Sequence, residues 1–186
     1  VAHPAKLGRV VVRDASRAVV FESGAPRPDG AIAGNDNDED GAKYEPHYLE
    51  ITDQRQVQIY EAVMGSPQNA VTTGLLTAVK YLKDNRLLPK GVDTATASPD
   101  VAVHGHAAAD VDFLAGGDRV RYVVDVSKIA GPLTVDVELR YQTIAYRWAK
   151  NLAGYAAPEP ARFLGYYDAM AAGSSAVLAT ARLVAE

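Results

Sequence analysis

Acidic side chains alternate along one short stretch of the chain, Asn-Asp-Asn-Asp-Glu-Asp-Gly, from residue 35 to residue 41. Asp36, Asp38 and Asp40 stand two residues apart, and Gly41 follows them directly. Side chains at alternate positions of a loop can point at one centre, and a glycine allows the sharp turn that wraps oxygen ligands around Ca²⁺. The spacing therefore predicts the first half of a calcium loop.

The rest of this stretch departs from the helix-loop-helix calcium pattern. The carbonyl of Ala42 would be the next ligand, but His47 stands where a bidentate Glu is expected. Glu45 offers a carboxylate two positions early, and Pro46 prevents a helix from running smoothly through this point. We predict Ca²⁺ bound by Asp36, Asp38, Asp40, Ala42 and Glu45. The alternative is a solvated acidic turn between two strands.

Histidines supply two further candidate sites. His47 follows the acidic loop, and it could ligate the same ion, hydrogen-bond a loop carboxylate or serve as the axial ligand of a neighbouring haem. His104 and His106 would point to the same side of an extended chain, with Asp110 and Asp112 close behind. This is a partial zinc or copper pattern. A polar loop before the next strand is the alternative.

Several function classes lack their sequence signals. There is no Cys, no G-x-S-x-G elbow and no glycine-rich phosphate loop, although carboxylate pairs for glycoside hydrolysis are assembled in space and stay open. The net charge is −4 without a basic cluster, which argues against nucleic-acid binding. No apolar run is long enough to span a membrane, no signal peptide is visible, and a start at Val1 suggests a processed or truncated product.

Alternating hydrophobicity predicts a chain that is mainly β. Leu133–Gln142 alternates almost perfectly, and Asp118–Val126 precedes it across a Gly-Pro turn, so we expect these two strands to form an antiparallel hairpin. Gly8–Glu22 predicts a second hairpin, and shorter strands are expected at His47–Ile51 and Gln56–Met64. Val71–Leu88, the most ambiguous segment, is expected to be a strand followed by an irregular connection.

The hydrophobic period changes near the C-terminus. Ile144, Trp148 and Leu152 are four residues apart and predict a short helix that ends at Gly154. A second helix is expected from Pro158, with a stripe of large side chains facing the core at Phe163, Tyr166, Tyr167 and Met170. A last strand is expected over Ala176–Val184. We therefore predict one domain over residues 1–186, an antiparallel β-sandwich or jelly-roll-like fold with one or two C-terminal helices.

Six collinear segments resemble a known domain type. They are RAVVFESGA at 17–25, DGAIAGNDND at 29–38, YEPHY at 44–48, QVQIYE at 56–61, KDNRLLP at 83–89 and YQTIAYRWA at 141–149. Together they are similar to the β-rich domain that follows the haem-bearing part of bacterial exported multihaem c-type cytochromes. The chain contains no C-x-x-C-H motif, so it cannot attach haem c itself.

This resemblance implies a periplasmic or extracellular electron-transfer setting. The domain would be a non-catalytic scaffold, its long loop pinned by Ca²⁺, that docks against a haem-bearing module or subunit. The resemblance gives no role to an individual residue, and His47 is a candidate axial ligand to that haem only from its residue type and its position beside the acidic loop. A calcium-stabilised carbohydrate-binding module is the alternative, in which Trp148 and the tyrosines would stack on sugars. A small metalloenzyme that uses His104 and His106 ranks third. Homo-oligomerisation is left open.

Overall fold

The computed structural model describes residues 5–186, and they are mainly β. The strands are β1 (Ala5–Arg13), β2 (Val19–Ser23), β3 (Glu50–Ile51), β4 (Ile59–Tyr60), β5 (Ala62–Gly65), β6 (Val71–Thr72), β7 (Lys80–Asp84), β8 (Arg121–Tyr122), β9 (Leu133–Gln142) and β10 (Ser175–Ala185). The helices are α1 (Asp36–Glu39), α2 (Tyr146–Asn151) and α3 (Pro158–Met170). Single 3₁₀ turns cover Gly105–Ala109, Leu152–Gly154 and Ala171–Gly173.

The main sheet is built around β1. Its strand order is β10-β9-β1-β2, with β4 pairing to the first half of β1, and every pairing is antiparallel. The run of three valines, Val10 to Val12, is buried and lies between β2 and β9. The predicted hairpin over Gly8–Glu22 and the predicted last strand are therefore confirmed.

The predicted hairpin between Asp118–Val126 and Leu133–Gln142 is wrong. Only Arg121–Tyr122 of the first segment is a strand, and it pairs in parallel with β3, whereas β9 pairs with β1 and β10. Tyr122 and its apolar neighbours pack against Phe21 on the face of the main sheet. Because the segment around Tyr122 packs on the face of the main sheet, it lies outside the plane of that sheet. It therefore does not pair with β9, although β9 is the next strand in the sequence.

The middle of the chain contains shorter strands than its hydrophobic pattern predicts. The segments predicted at His47–Ile51 and Gln56–Met64 contribute only β3, β4 and β5. The segment Val71–Leu88 divides into β6, a turn and β7, and both strands pair with β5 in a small antiparallel sheet. The expected strand and irregular connection are present, and β7 is an additional strand.

Both C-terminal helices are confirmed, but the apolar stripe is only partly buried. Tyr167 is buried and Phe163 is half-buried, whereas Tyr166 and Met170 are 67% and 70% exposed. The longest helix has thirteen residues, and among residues 5–186 no helix is long and apolar enough to cross a membrane.

Within residues 5–186 the core consists of four separate apolar clusters. One contains Leu7 and Ile59, a second Val12 and Phe21, a third Tyr60 and Phe113, and the fourth lies under the helices around Ala149. Leu7 and Val12 are five residues apart on β1 and therefore point to opposite faces, so each face of the main sheet covers its own cluster. The mainly β architecture is confirmed, and the finer sandwich or jelly-roll arrangement stays a prediction.

Candidate functional site

Among the described residues, one group of side chains could bring three metal-ligand atoms together: His47, Asp110 and Asp118. His47 Nε2 lies 2.9 Å from Asp110 Oδ2 and 3.9 Å from Asp118 Oδ1. The imidazole is 0% exposed, and the two carboxylates are 4% and 2% exposed. The three side chains are thus shielded from solvent. Whether they can bind a metal depends on which ring nitrogen of His47 is free to act as a ligand.

A tight turn carries Asp110 into this cluster. The backbones of His104 and Asp84, at the end of β7, exchange two hydrogen bonds of 3.0 Å each, and the 3₁₀ turn begins at the next residue, Gly105. Gly105 has φ +77°, and a Cβ at this position would lie 3.1 Å from the carbonyl oxygen of Leu82. Glycine is needed for this reversal, which places Asp110 directly after the 3₁₀ turn.

Two amide side chains next to His47 have fixed orientations. Gln58 Oε1 accepts the backbone N–H of Tyr48 at 2.9 Å, so its NH₂ group points the other way. Asn85 Oδ1 accepts the N–H of Glu61 at 2.9 Å, and its Nδ2 donates to the carbonyl of Ile59 at 2.9 Å. A flip of either amide would set donors against donors, so both NH₂ groups stay where they are.

These amide donors determine the protonation of His47. Gln58 Nε2 and Asn85 Nδ2 lie 2.9 and 3.0 Å from His47 Nδ1, which must therefore accept and carry no proton. The ring proton then sits on Nε2 and is donated to Asp110 Oδ2. These contacts assign the Nε2–H tautomer to His47.

The two carboxylates are satisfied by different neighbours. Burial opposes ionisation of Asp110, but hydrogen bonds from His47 and from the backbone of Asp112 outweigh it and hold the pKa of Asp110 below its ordinary value. Asp118 accepts the hydroxyl of Tyr60 at 2.6 Å and the backbone N–H of Arg119 at 2.7 Å. Burial, and then the adjacent Asp118, raises the pKa of Tyr60, which stays protonated as a donor.

This cluster does not fit a metal centre. A histidine that binds a metal through one ring nitrogen normally donates the other N–H to a carboxylate or a carbonyl. In His47 the second nitrogen, Nδ1, faces two N–H donors and accepts from them instead of donating. A cation at Nε2 would replace the only ring proton and would therefore require an imidazole with neither nitrogen protonated. The same contacts bear on the haem hypothesis, because an iron could reach His47 only if the Asp110 bond broke and the buried ring moved to the surface.

The acidic loop is folded differently from the predicted calcium loop. Its centre is the single-turn helix α1, which turns the Asp38 carboxylate inward to accept the backbone N–H of Ile32 at 2.8 Å. Asp36 and Asp40 are exposed, and Glu45 is buried. Of the predicted ligand set Asp36, Asp38, Asp40, Ala42 and Glu45, no three carboxylates come together within the described residues. Calcium binding stays a prediction.

Protein contacts order this loop. Asn35 caps α1, and Asn37 Nδ2 donates to the carbonyl of Lys43 at 2.5 Å. Arg147, from α2, donates two hydrogen bonds of 2.7 Å to the carbonyls of Asn37 and Asp38. A guanidinium thus binds carbonyl oxygens at the end of the turn, where the helix dipole is negative. A side chain more than a hundred residues away thus helps to order this loop.

A buried ion pair lies beside the histidine cluster. The Lys83 side chain is 1% exposed, and its Nζ donates to the carbonyl of Ile59 at 2.8 Å and to Glu61 Oε1 at 3.3 Å. Burial lowers the pKa of Lys83, and the nearby carboxylates of Glu61 and Glu45 oppose that shift. Ile59 therefore provides one carbonyl to both Lys83 and Asn85, which joins the ion pair to the histidine cluster.

The predicted His104–His106 pair does not form a ligand set. His104 Nε2 donates to the carbonyl of Pro99 at 2.9 Å, and its ring lies against Tyr81. His106 is exposed on the 3₁₀ turn, and Asp110, the expected acidic partner, contacts His47 instead.

Sequence reasoning identified two members of the buried cluster but did not join them. His47 was assigned to the acidic loop and Asp110 to the later histidines, although they are sixty-three residues apart and bonded to each other. Asp118, Gln58 and Asn85 were not singled out. Gln58 alone has a local signal, because it lies between the buried residues Val57 and Ile59. Comparisons with protein-family models, with curated protein sequences and with solved structures find no match, so the cluster is assigned from geometry alone.

Replacing His47 by Ala should destabilise the protein strongly. The change leaves the buried N–H groups of Gln58 and Asn85 and the Asp110 carboxylate without their shared partner, at a cost of roughly 3 kcal/mol or more in unfolding free energy. His104→Ala is the matched control and should cost less than about 1 kcal/mol, because its ring lies nearer the surface. Urea unfolding in the presence of a chelator measures both.

Long-range ¹H–¹⁵N spectra should show that His47 Nδ1 is unprotonated. Stabilisation by Zn²⁺ that disappears in His47→Ala would contradict this tautomer.

Asp38 should make stability depend on pH. Burial raises its pKa to about 7 from an ordinary value of 3.8. Between those values the native state holds more protons than the unfolded chain, so the contribution of Asp38 to stability decreases as pH rises through this window. Asp38→Asn keeps an oxygen for the N–H of Ile32 and should be more stable than wild type above pH 7, by roughly 2 kcal/mol or more.

The difference between wild type and Asp38→Asn should vanish below about pH 3, where the carboxyl is protonated in both states. Thermal unfolding across this range measures it, with the exposed Asp40→Asn as a control that leaves the profile unchanged. A wild type that gains stability relative to Asp38→Asn as pH rises would contradict the assignment and would indicate a cation at Asp38.

Proposed function

We propose that this chain is a non-catalytic docking domain that packs against the haem-bearing module of an exported multihaem electron-transfer protein. The observation that carries the proposal is an apolar groove of about 340 Å³ between the C-terminal helices and the loop after β6. Its lining is rich in aromatic side chains and comprises Thr73, Leu75, Ile144, Trp148, Asn151, Leu152, Tyr155 and Phe163. The multihaem setting rests on the six segments that resemble such proteins.

Large apolar side chains at this groove are open to solvent. Leu75 is 54% exposed and Tyr155 is 62% exposed, and a second groove of about 490 Å³ shares Leu75 and continues to Val79, which is 62% exposed. Contiguous apolar surface of this kind marks interaction sites more often than isolated exposed residues do.

The groove lies next to the point where the described chain begins. Ala5 pairs with Gln142 at the end of β9, and Ile144, two residues further on, lines the groove. A module that precedes this domain would therefore enter beside the apolar surface. This placement favours that module as the occupant.

The setting of the titratable cluster supports a non-catalytic role. The side chains of His47, Asp110 and Asp118 are at most 4% exposed, and none of these residues lines any of five surface cavities of about 340 to 630 Å³. A general acid or base must come within hydrogen-bonding distance of its substrate, and these groups are enclosed by protein.

A calcium-stabilised carbohydrate-binding module is the second candidate. Trp148, Tyr155 and Phe163 give the groove three ring systems, and Asn151 Nδ2 donates to Thr73 Oγ1 at 2.9 Å on its wall. Aromatic faces beside amide and hydroxyl groups are suited to sugar rings. In this reading calcium at the acidic loop would stabilise the module.

The docking proposal is tested first by the mass and the visible absorption spectrum of the protein from its native source. A longer polypeptide with a Soret band is expected. In that protein Leu75→Glu should place a charge in the docked groove and speed proteolytic cleavage between the two modules by roughly tenfold, equivalent to a loss of about 1.4 kcal/mol. Leu76→Glu is the matched control, because Leu76 is fully exposed and does not line the groove.

A colourless protein of this mass would contradict the electron-transfer proposal. The sugar-binding candidate would then predict retardation in gels that contain polysaccharide, and Leu75→Glu should abolish that retardation while Leu76→Glu preserves it. Retardation by neither wild type nor variants would remove both candidates.

Calcium binding is tested separately by thermal unfolding. If the acidic loop binds Ca²⁺, excess Ca²⁺ should stabilise the wild type relative to chelator by roughly 2.7 kcal/mol at a hundredfold excess over the dissociation constant. Asp36→Asn combined with Asp40→Asn removes two exposed carboxylates without disturbing the inward contact of Asp38 and should erase this difference. Equal melting in Ca²⁺ and chelator would show that the loop is an acidic turn ordered by Arg147.

A further inference from the structure

The outer edge of the main sheet is long and unusually unprotected. Strand β10 covers Ser175–Ala185 and pairs on one side with β9, while the other side has no strand among the described residues. All of its residues from Ala176 onward are exposed. Its outward backbone N–H and C=O groups therefore form a ready template for another strand.

Sequence features that normally block edge pairing are nearly absent from β10. Natural edge strands are protected by lysines, prolines, bulges or short length. This strand has eleven residues, no Lys and no Pro, and its one charged residue is Arg182. Its pairing with β9 is interrupted near Leu178, and the register is regular from Ala179 to Ala185. A seven-residue stretch thus remains open to pairing.

The regular part of β10 carries one apolar and one polar face. Paired residues share a face of the sheet, so Ala179, Ala181 and Leu183 lie beside Leu139, Val137 and Val135 of β9. Leu183 is 64% exposed and Val137 is 38% exposed, so the apolar face is incompletely covered at this end. The opposite face presents Thr180 and Arg182.

The same segment is complementary to itself in one antiparallel register. A two-fold axis at Ala181 sets Ala179 opposite Leu183 of the second copy and Thr180 opposite Arg182, so each residue meets one from the same face. Centring the axis on Arg182 would oppose two like charges, and centring it on Thr180 would oppose Arg182 to Leu178 at the irregularity. A register shifted by one residue would place the apolar face of β10 in one copy beside the polar face of β10 in the other. Self-complementarity of this kind is what an isologous dimer requires.

We propose that β10 forms a homodimer interface, in which Ala179–Leu183 pairs antiparallel with the same segment of a second copy of this chain. The main sheets of the two copies then join into one sheet with the path β2-β1-β9-β10-β10-β9-β1-β2. The pairing supplies partners for the outer backbone groups of β10 and continues its apolar face across the axis. It uses a different surface from the aromatic groove and does not depend on the docking proposal.

The proposal is tested by sedimentation equilibrium of the whole chain over a wide concentration range. Wild type should dimerise, and Ala181→Lys should raise the dimer dissociation constant roughly tenfold or more, because two like charges would lie directly opposite each other at the axis. Ala185→Lys makes the same change on the same face beyond the paired segment and should leave dimerisation unchanged. Ala181 is exposed in the single chain, so circular dichroism should show both variants folded.

Charge reversal gives the decisive comparison. Ala181→Glu alone should weaken dimerisation to the same extent as Ala181→Lys, whereas an equal mixture of the two variants should regain dimerisation, because opposite charges then meet at the axis. This rescue separates repulsion at the interface from any loss of folding. A wild type that stays monomeric at the highest concentration, an Ala181→Lys variant that dimerises as tightly as wild type, or a mixture that stays monomeric would each overturn the proposal.

Discussion

The hydrogen bonds of His47 are the constraint on which the central part of this domain depends. One ring nitrogen accepts two amide donors and the other donates to Asp110, so the ring can occupy only one tautomer. The partners directly precede β4, directly follow β7 and directly follow the 3₁₀ turn at Gly105–Ala109, and these elements are otherwise joined by few strand pairs. Because each partner is itself held by a second hydrogen bond, the network has a single arrangement.

Such a network contributes specificity more than net stability. Moving His47, Asp118 and Lys83 out of water is costly, and buried charges in general return little net free energy compared with apolar residues of the same shape. Removing one partner is a different matter, because the others stay buried without hydrogen bonds. We therefore interpret the cluster as the element that fixes how short strands and turns meet in a chain whose apolar core is divided into four parts.

The parts of the fold that sequence predicted are those in which the decisive contacts are local. The alternation in Leu133–Gln142 gave β9 with its bounds, and the four-residue spacing of Ile144, Trp148 and Leu152 gave α2 and the turn after it. Which strand pairs with β9 is decided by β1, more than a hundred residues earlier, and no local pattern reports that. The candidate site failed for the same reason: His47 and Asp110 were each noticed, but they were assigned to their nearest acidic or histidine neighbours.

The acidic loop shows how a valid local pattern can lead to a different structure. The 1-3-5 spacing of Asp36, Asp38 and Asp40 assumes that all three side chains share one centre, but a single helical turn points them in different directions. Asn35 favours that turn by capping it, and Arg147 completes it from α2.

The buried polar side chains and the exposed apolar side chains of this domain both follow from its short strands and long connections. Short strands and long connections enclose little volume, so the interior contains polar side chains that link loops, and many large apolar residues lie outside it. Leu75, Tyr155 and Leu183 are at least half exposed, at the groove and at the sheet edge. Covering either surface would remove apolar area from water at roughly 25 cal/mol per Å². The proposed associations would bury apolar area that the divided core does not supply. The groove is lined by no residue of β10, so the two proposed interfaces use different residues.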